Sequence, residues 1–254
     1  MTARFVLVHG AFSGGWCWQP VTEPLRALGH TVETLDLPGS GDDRTPVGDV
    51  TLARYAERVC EVLAQRPERA VLVGHSMGGV VVTQAAANCP DRVASLIFVC
   101  AFMPADGQSL IDLTRLPEGA ADQIQANLVV EGDPPVAVLS EEATVMAVYN
   151  CCPPADALAA AARRGAQPVA PIEQPVRIDE AVLASIPRSY VLTSMDNAIP
   201  PDLQRRMIRE HPCRRVVELD ADHSPFQSAT AELVSALVEL AEEMAEPASG
   251  GAPA

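Results

Sequence analysis

The sequence predicts the α/β class: a six-stranded, parallel, doubly wound sheet with one helical insertion. Three observations predict it. Short apolar runs alternate with stretches of helical period between residues 5 and 102, the order that builds parallel strands joined by crossover helices. Those runs are apolar at successive positions, as strands covered on both faces must be. After a proline-rich interruption at 103–184, the same alternation resumes.

The elements follow in chain order. Phe5-Val6-Leu7-Val8 is the first strand and ends in the glycine-rich loop His9-Gly10-Ala11-Phe12-Ser13-Gly14-Gly15. Residues 16–28 carry helical spacing and stop at Gly29. Residues 31–37 form the second strand, closed by Pro38-Gly39-Ser40-Gly41, and a polar loop runs to Val50. Thr51 is placed to cap a helix in which Leu52, Tyr55, Ala56, Val59 and Leu63 share one face. Ala70 to Val73 is a strand, and Gly79 to Ala87 is small and apolar enough to be a helix packed on the sheet. Residues 93–102 form the fourth strand.

Residues 103–184 break the rhythm, with repeated prolines and alanine-rich helical pieces near 119–130, 140–150 and 154–164. A segment of that length leaving the carboxyl edge of the sheet and returning to it reads as a helical lid. A separate second domain is the alternative, and the resumed alternation argues against it. Residues 189–193 and 215–219 are the fifth and sixth strands. A helix starting at Pro200 separates them, and a terminal helix at 230–244 presents Leu233, Leu237, Val238 and Ala241. The expected organisation is thus a core of 1–102 and 185–245, a lid of 103–184 and a disordered tail of 246–254.

Length and composition narrow the function. A chain of 254 residues, 48% hydrophobic, suits one sizeable core. A net charge of −15 argues against nucleic-acid and anionic-membrane partners. The chain runs from Met1 straight into a strand pattern, read as lacking a leader, and has no membrane-length apolar run. Its seven cysteines are odd in number and form no Cys-x-x-Cys pair; adjacent Cys151 and Cys152 make a poor metal pattern. They are read as reduced thiols of a cytoplasmic protein.

The chemistry centres on Gly74-His75-Ser76-Met77-Gly78, between a strand and a helix. Gly-x-Ser-x-Gly in that setting is the turn that lifts a serine hydroxyl above the sheet. Its glycines answer the crowding around a strained serine. The turn also aims the Met77 N–H and the helix N-terminus at one point, suited to developing negative charge. A glycine turn serving only tight packing is the bland alternative. A serine needs a base, and the base needs an orienting acid. Among five histidines, His9 and His75 flank glycine loops, and His30 and His211 sit at helix ends. His223 lies in the loop after the sixth strand, on the same edge as Ser76, and is the candidate base. Asp196, after the fifth strand and between serine and histidine in chain order, is the candidate acid. Asp106 is the fallback, and Asp220 and Asp222 are read as solvated loop charges or caps. The oxyanion hole takes Met77 N–H and Ala11 N–H, with Phe12 N–H as second choice. Each donor is worth about 10²–10³ in rate.

With those residues placed, the chain resembles the α/β-hydrolase superfamily, and within it the branch of plant methyl esterases, hydroxynitrile lyases and bacterial esterase relatives. The resemblance is carried by residues 5–11 with Gly14-Gly15-Trp16 and Trp18, by Asp36-Leu37-Pro38-Gly39-Ser40-Gly41 and by residues 73–79. Ala101-Phe102-Met103-Pro104, Tyr149-Asn150-Cys151-Cys152-Pro153, Asp196 with Ile199-Pro200, and Ala221-Asp222-His223 complete it. It implies a six-stranded parallel sheet, a helical lid and ester hydrolysis without cofactor or metal. The lyases of this branch carry a threonine where Gly10 stands and a lysine where Ser224 stands, so cyanohydrin cleavage is not implied. The methyl esterases tend to carry a histidine where Ser13 stands, so their small aromatic and hormone esters are not carried over.

The reading is a serine carboxylesterase acting on a small ester through an acyl-enzyme, in a pocket lined by Phe12, Phe102, Met103 and Tyr149. Its partner is that small molecule, with no nucleic acid or membrane, and a homodimer is the assembly to test. Another reaction on the same site, such as C–C cleavage, a lyase step or a cyclisation, is the alternative chemistry. A ligand sensor without turnover is the alternative of another class.

Overall fold

Alternate residues of the central strands feed two separate cores. In the computed structural model, which describes residues 2–245, strand β1 (Arg4–Val8) is followed by helix α1 (Gln19–Ala27), β2 (Thr31–Thr34), α2 (Leu52–Ala64), β3 (Ala70–His75), α3 (Gly78–Asn88) and β4 (Val93–Val99). An inserted segment holds α4 (Leu110–Thr114), α5 (Gln123–Asn127), β5 (Val129–Glu131), β6 (Val136–Val138), α6 (Glu141–Val148), α7 (Pro154–Ala161), β7 (Gln167–Pro168), α8 (Ala170–Glu173) and α9 (Glu180–Ala184). The chain then resumes as β8 (Arg188–Thr193), α10 (Pro201–Glu210), β9 (Arg215–Leu219), α11 (Pro225–Ser228) and α12 (Thr230–Ala245).

Six strands pair in the order β2-β1-β3-β4-β8-β9, each pair parallel. Successive strand side chains point to opposite faces. Val6, Val8, Leu72, Leu96, Phe98, Tyr190 and Leu192 therefore pack under α2, α3 and α10. Phe5, Leu7, Val71, Val73, Ile97, Val99 and Val191 pack under α1 and α12. This is why these strands read as unbroken apolar runs.

The expected second and fourth strands overran. The second stops at Thr34, and the fourth stops at Val99 because Cys100 turns to φ 35°. Residues 16–28 divide into a 3₁₀ turn at Gly15–Trp18 and α1. The inserted segment is less helical than its alanine content suggests. Residues 119–130 hold a five-residue helix, capped by Asp122, that runs into β5. β5, β6 and β7 form a small antiparallel sheet. Strands of two or three residues are too short to show a period in the sequence.

One reading is corrected. Cys60 and Cys89, expected as free thiols, are joined by a disulfide, with Cα atoms 6.2 Å apart. Helices α2 and α3 lie side by side, and that pairing, invisible in sequence spacing, brings the two sulfurs together. The other five cysteines are free. Among the described residues, no helix is long and apolar enough to cross a membrane. The expected tail at 246–254 lies outside the described residues.

Candidate active site

The chain leaves β1 toward β2 on one side, while β3 pairs on the other, with Val8 opposite Gly74. The carboxyl ends of β1 and β3 thus flank the point where the sheet order reverses, where α/β sheets hold their ligands. Ser76 sits there with φ 55°, a left-handed conformation that costs a non-glycine residue about 1–3 kcal/mol and marks functional turns. Its neighbours are glycine because atoms stand where side chains would go. A Cβ on Gly74 would lie 2.6 Å from the Gly78 carbonyl oxygen, and one on Gly78 would lie 2.8 Å from the carbonyl oxygens of Val8 and His9. The approach of the first loop is equally close, since a Cβ on Gly10 would stand 2.7 Å from that of Ser76.

Asp196 and His223 meet across the ends of β8 and β9. His223 Nδ1 lies 2.8 Å from Asp196 Oδ2. The same oxygen accepts from the Thr193 hydroxyl at 3.0 Å and from Gln204 Nε2 at 3.1 Å. Oδ1 accepts from the backbone N–H groups of Ala198 and Ile199, both at 2.8 Å. Five donors hold a carboxylate that is 4% exposed, which meets the requirement that a buried charge be hydrogen-bonded. The His223 carbonyl is held as well. His75 Nε2 donates to it at 2.7 Å, and the His75 ring packs between those of Trp18, Phe226 and His223. Burial holds the His75 pKa well below its ordinary value, with His223 adding to the fall. Neutral His75 thus stays a positioning group facing away from the cavity.

The first loop is pinned from both sides. Burial lowers the His9 pKa, so the ring is neutral. Its Nδ1–H donates to the Gly10 carbonyl at 2.8 Å, and Nε2 accepts from Leu37 N–H at 3.1 Å. From the inserted segment, Arg164 donates to the Ala11 carbonyl at 2.7 Å, and Gly165 N–H donates to the Phe12 carbonyl at 2.9 Å. Gln167 Oε1 accepts from Phe12 N–H at 3.4 Å. Phe12 takes φ 63°, and its N–H is spent on Gln167. Among the described residues, the Ala11 and Met77 N–H groups take no protein acceptor.

A cavity of about 120 Å³ opens on Ser76, walled by Ala11, Phe12, Met77, Phe102 and residues of the inserted segment. A cavity of about 150 Å³ accepts a benzene, so this one suits a small acyl group. Met103 and Tyr149 do not line it. Met103 N–H points at the Met207 sulfur in the main core, and Tyr149 is buried between α6 and α7. Asp106 is remote and accepts from Ile178 N–H. Asp222, expected as a solvated loop charge or a cap, is fully buried: it takes Ser224 N–H and the Ser228 hydroxyl at the start of α11, and Cys151 N–H from the inserted segment. Asp220 is exposed and takes the Ser194 hydroxyl.

Residues 5–236 match the model of the Alpha/beta hydrolase family. The chain belongs to that family. Methylesterase 7 of Arabidopsis thaliana is 33% identical, over 95% of this chain and 97% of its own length. A candidate chloroplastic methylesterase 13 of the same plant is 35% identical over 95% of this chain, which spans 56% of that relative's length. The crystal structure of the pyrethroid hydrolase PytH is 26% identical, with a TM-score of 0.85 over 97% of this chain and all of that one.

Several residues that shape this site carry no signal along the sequence. Gln204, Arg164 and Gln167 reach it from 8 to 155 positions away from their partners. A buried glutamine on an otherwise polar helix is a faint clue, legible only once the helix is placed.

Proposed function

We propose that the protein is a carboxylesterase in which Ser76 is the nucleophile, His223 the general base and Asp196 its orienting acid. The observation that carries this reading is the five-donor Asp196 carboxylate holding His223 Nδ1, at the sheet edge where Ser76 is held at φ 55°. His223 Nε2 takes the Ser76 proton as Oγ attacks the ester carbonyl. The N–H groups of Ala11 and Met77, which have no protein acceptor, receive the oxyanion. Phe12 N–H, already donated to Gln167, is set aside for that role. His223 then protonates the leaving alcohol, and water releases the acyl group by the reverse route. Asp196, buried and held by its donors, keeps Nδ1 protonated and Nε2 free.

The inserted segment acts as the lid. Its residues wall the cavity, and Arg164, Gly165 and Gln167 hold the loop that carries Ala11. The methylesterase relatives and the apolar cavity support a small ester with an acyl group smaller than a benzene ring. Turnover of p-nitrophenyl butyrate tests the reading. We expect hydrolysis by the parent, loss of at least about 10³-fold in Ser76→Ala and labelling of Ser76 by a fluorophosphonate. Turnover that survives Ser76→Ala would overturn it.

A further inference from the structure

The cavity beside Ser76 is apolar except at a few points, and one of them is a buried carboxyl group. Asp122 lines it and is 5% exposed. Its Oδ1 is occupied, accepting from Ile124 N–H at 2.7 Å and Gln125 N–H at 3.0 Å as the cap of α5. Its Oδ2 has no protein partner among the described residues, and it is not one of the sealed unpaired atoms. It therefore keeps accessible surface, at a residue that lines the cavity. The segment is tied to the Asp196 loop by Gln123 N–H donating to the Asn197 carbonyl at 2.8 Å. Ala198 and Ile199 of that loop line the same cavity. Asp122 thus stands on the side of the cavity nearest the Asp196–His223 pair.

A carboxylate oxygen facing an apolar cavity lacks the hydrogen bonds that water would give it, and a ligand that supplies one is favoured. We propose that Asp122 is a specificity-determining residue: its Oδ2 accepts a hydrogen bond from a hydroxyl group of the substrate, so the preferred ester carries a hydroxyl on an otherwise apolar body. This inference rests on the esterase reading of the site. The donor is a hydroxyl rather than an ammonium because of what surrounds it. An ammonium brings three N–H groups, and the neighbouring wall of Phe102, Ile124, Leu128 and Ile199 offers them no acceptors. A hydroxyl brings one. The Thr114 hydroxyl, also on the wall, donates to the Ile111 carbonyl and keeps lone pairs to accept, but it is one acceptor for the two remaining ammonium N–H groups. Glu173 lines the cavity too but is exposed and so keeps its water. Burial raises the Asp122 carboxyl to about 6, which leaves it mostly ionised, and an acceptor, at neutral pH.

Matched methyl esters test this: butanoate, its 2-, 3- and 4-hydroxy derivatives, and 3-oxobutanoate. In the parent, kcat/KM for the best hydroxy ester should exceed that for butanoate by about 10–100-fold. Asp122→Ser keeps a helix-capping oxygen but withdraws Oδ2, and the ratio should fall to near one. Asp122→Asn keeps the cap and presents an N–H₂ in place of the acceptor, so preference should move toward the oxo ester. A parent ratio near one for every hydroxy ester, or a preference that survives Asp122→Ser, would overturn the proposal. The same esters are titrated calorimetrically into Ser76→Ala, with and without Asp122→Ser. Hydroxyl-dependent binding without turnover in the parent would refute the esterase reading and keep hydroxyl recognition. Turnover without hydroxyl preference in either readout would do the reverse.

Discussion

Asp122 should weaken the fold above about pH 6, and Asp122→Asn should relieve that weakness. Burial lifts the carboxyl from 3.8 to about 6, outweighing its two backbone hydrogen bonds and the attraction of His223. A carboxyl whose pKa rises on folding binds its proton more tightly in the folded chain. Its relative stabilisation is therefore complete below the unfolded value and is lost as pH rises through the folded one. A shift of about two units corresponds to about 3 kcal/mol. Roughly half of that loss is present at about pH 5 and all of it at about pH 8, so about 1.4 kcal/mol develops between them. Asparagine caps the helix as well as aspartate and carries no charge. The stability of Asp122→Asn relative to the parent should thus climb by about 1–1.5 kcal/mol across that interval. Urea unfolding of both proteins at the two pH values measures it. His9 and His75, buried and neutral with lowered pKa values, push the other way, losing stability as pH falls below about 6.5. They are present in both proteins and cancel in the difference. Parallel pH profiles for the two proteins, or a variant that loses ground at the higher pH, would refute the argument.

Three further predictions follow from the site. Asp196→Asn, which leaves the five-donor pocket mismatched and frees the His223 tautomer, should lower kcat about 10⁴-fold while KM moves little; steady-state kinetics on p-nitrophenyl butyrate reads both. Arg164→Met removes the donor to the Ala11 carbonyl and should reduce kcat/KM by about 10²-fold by shifting the N–H proposed to receive the oxyanion, with the circular dichroism unchanged; an unaltered rate would count against the inserted segment's hold on that loop. Gly79→Ala would place a Cβ 2.2 Å from the Phe102 carbonyl oxygen, so we expect a loss of more than about 3 kcal/mol, seen as a lowered melting temperature or lost soluble yield.

The core strands were legible because both of their faces are covered, which leaves a run of apolar residues with no polar interruption. Their ends were less so. Cys100 continues the apolar pattern of β4, yet its backbone has already turned, and a side-chain pattern does not report a backbone angle. The inserted segment was legible as an interruption but not as an architecture. Its strands pair Val129 with Val138 and Ala137 with Gln167, contacts too short for any period. Asp222 shows the limit of a local reading: a charge between an alanine and a histidine reads as solvated or as a cap, and its burial comes from the inserted segment, which lays Cys151 N–H over it.

Read alone, the chain specifies which residue types stand at which strand ends: the serine between its glycines, the acid after β8, the histidine after β9, because backbone turns and strand order are written in short-range patterns. Tertiary structure alone decides what those groups touch. The five donors on Asp196, the hold of Arg164 on the first loop, the disulfide from α2 to the end of α3, and the place of Asp122 on the cavity wall depend on elements brought together from distant positions. Packing of whole helices and strands sets those distances, and no local pattern encodes them.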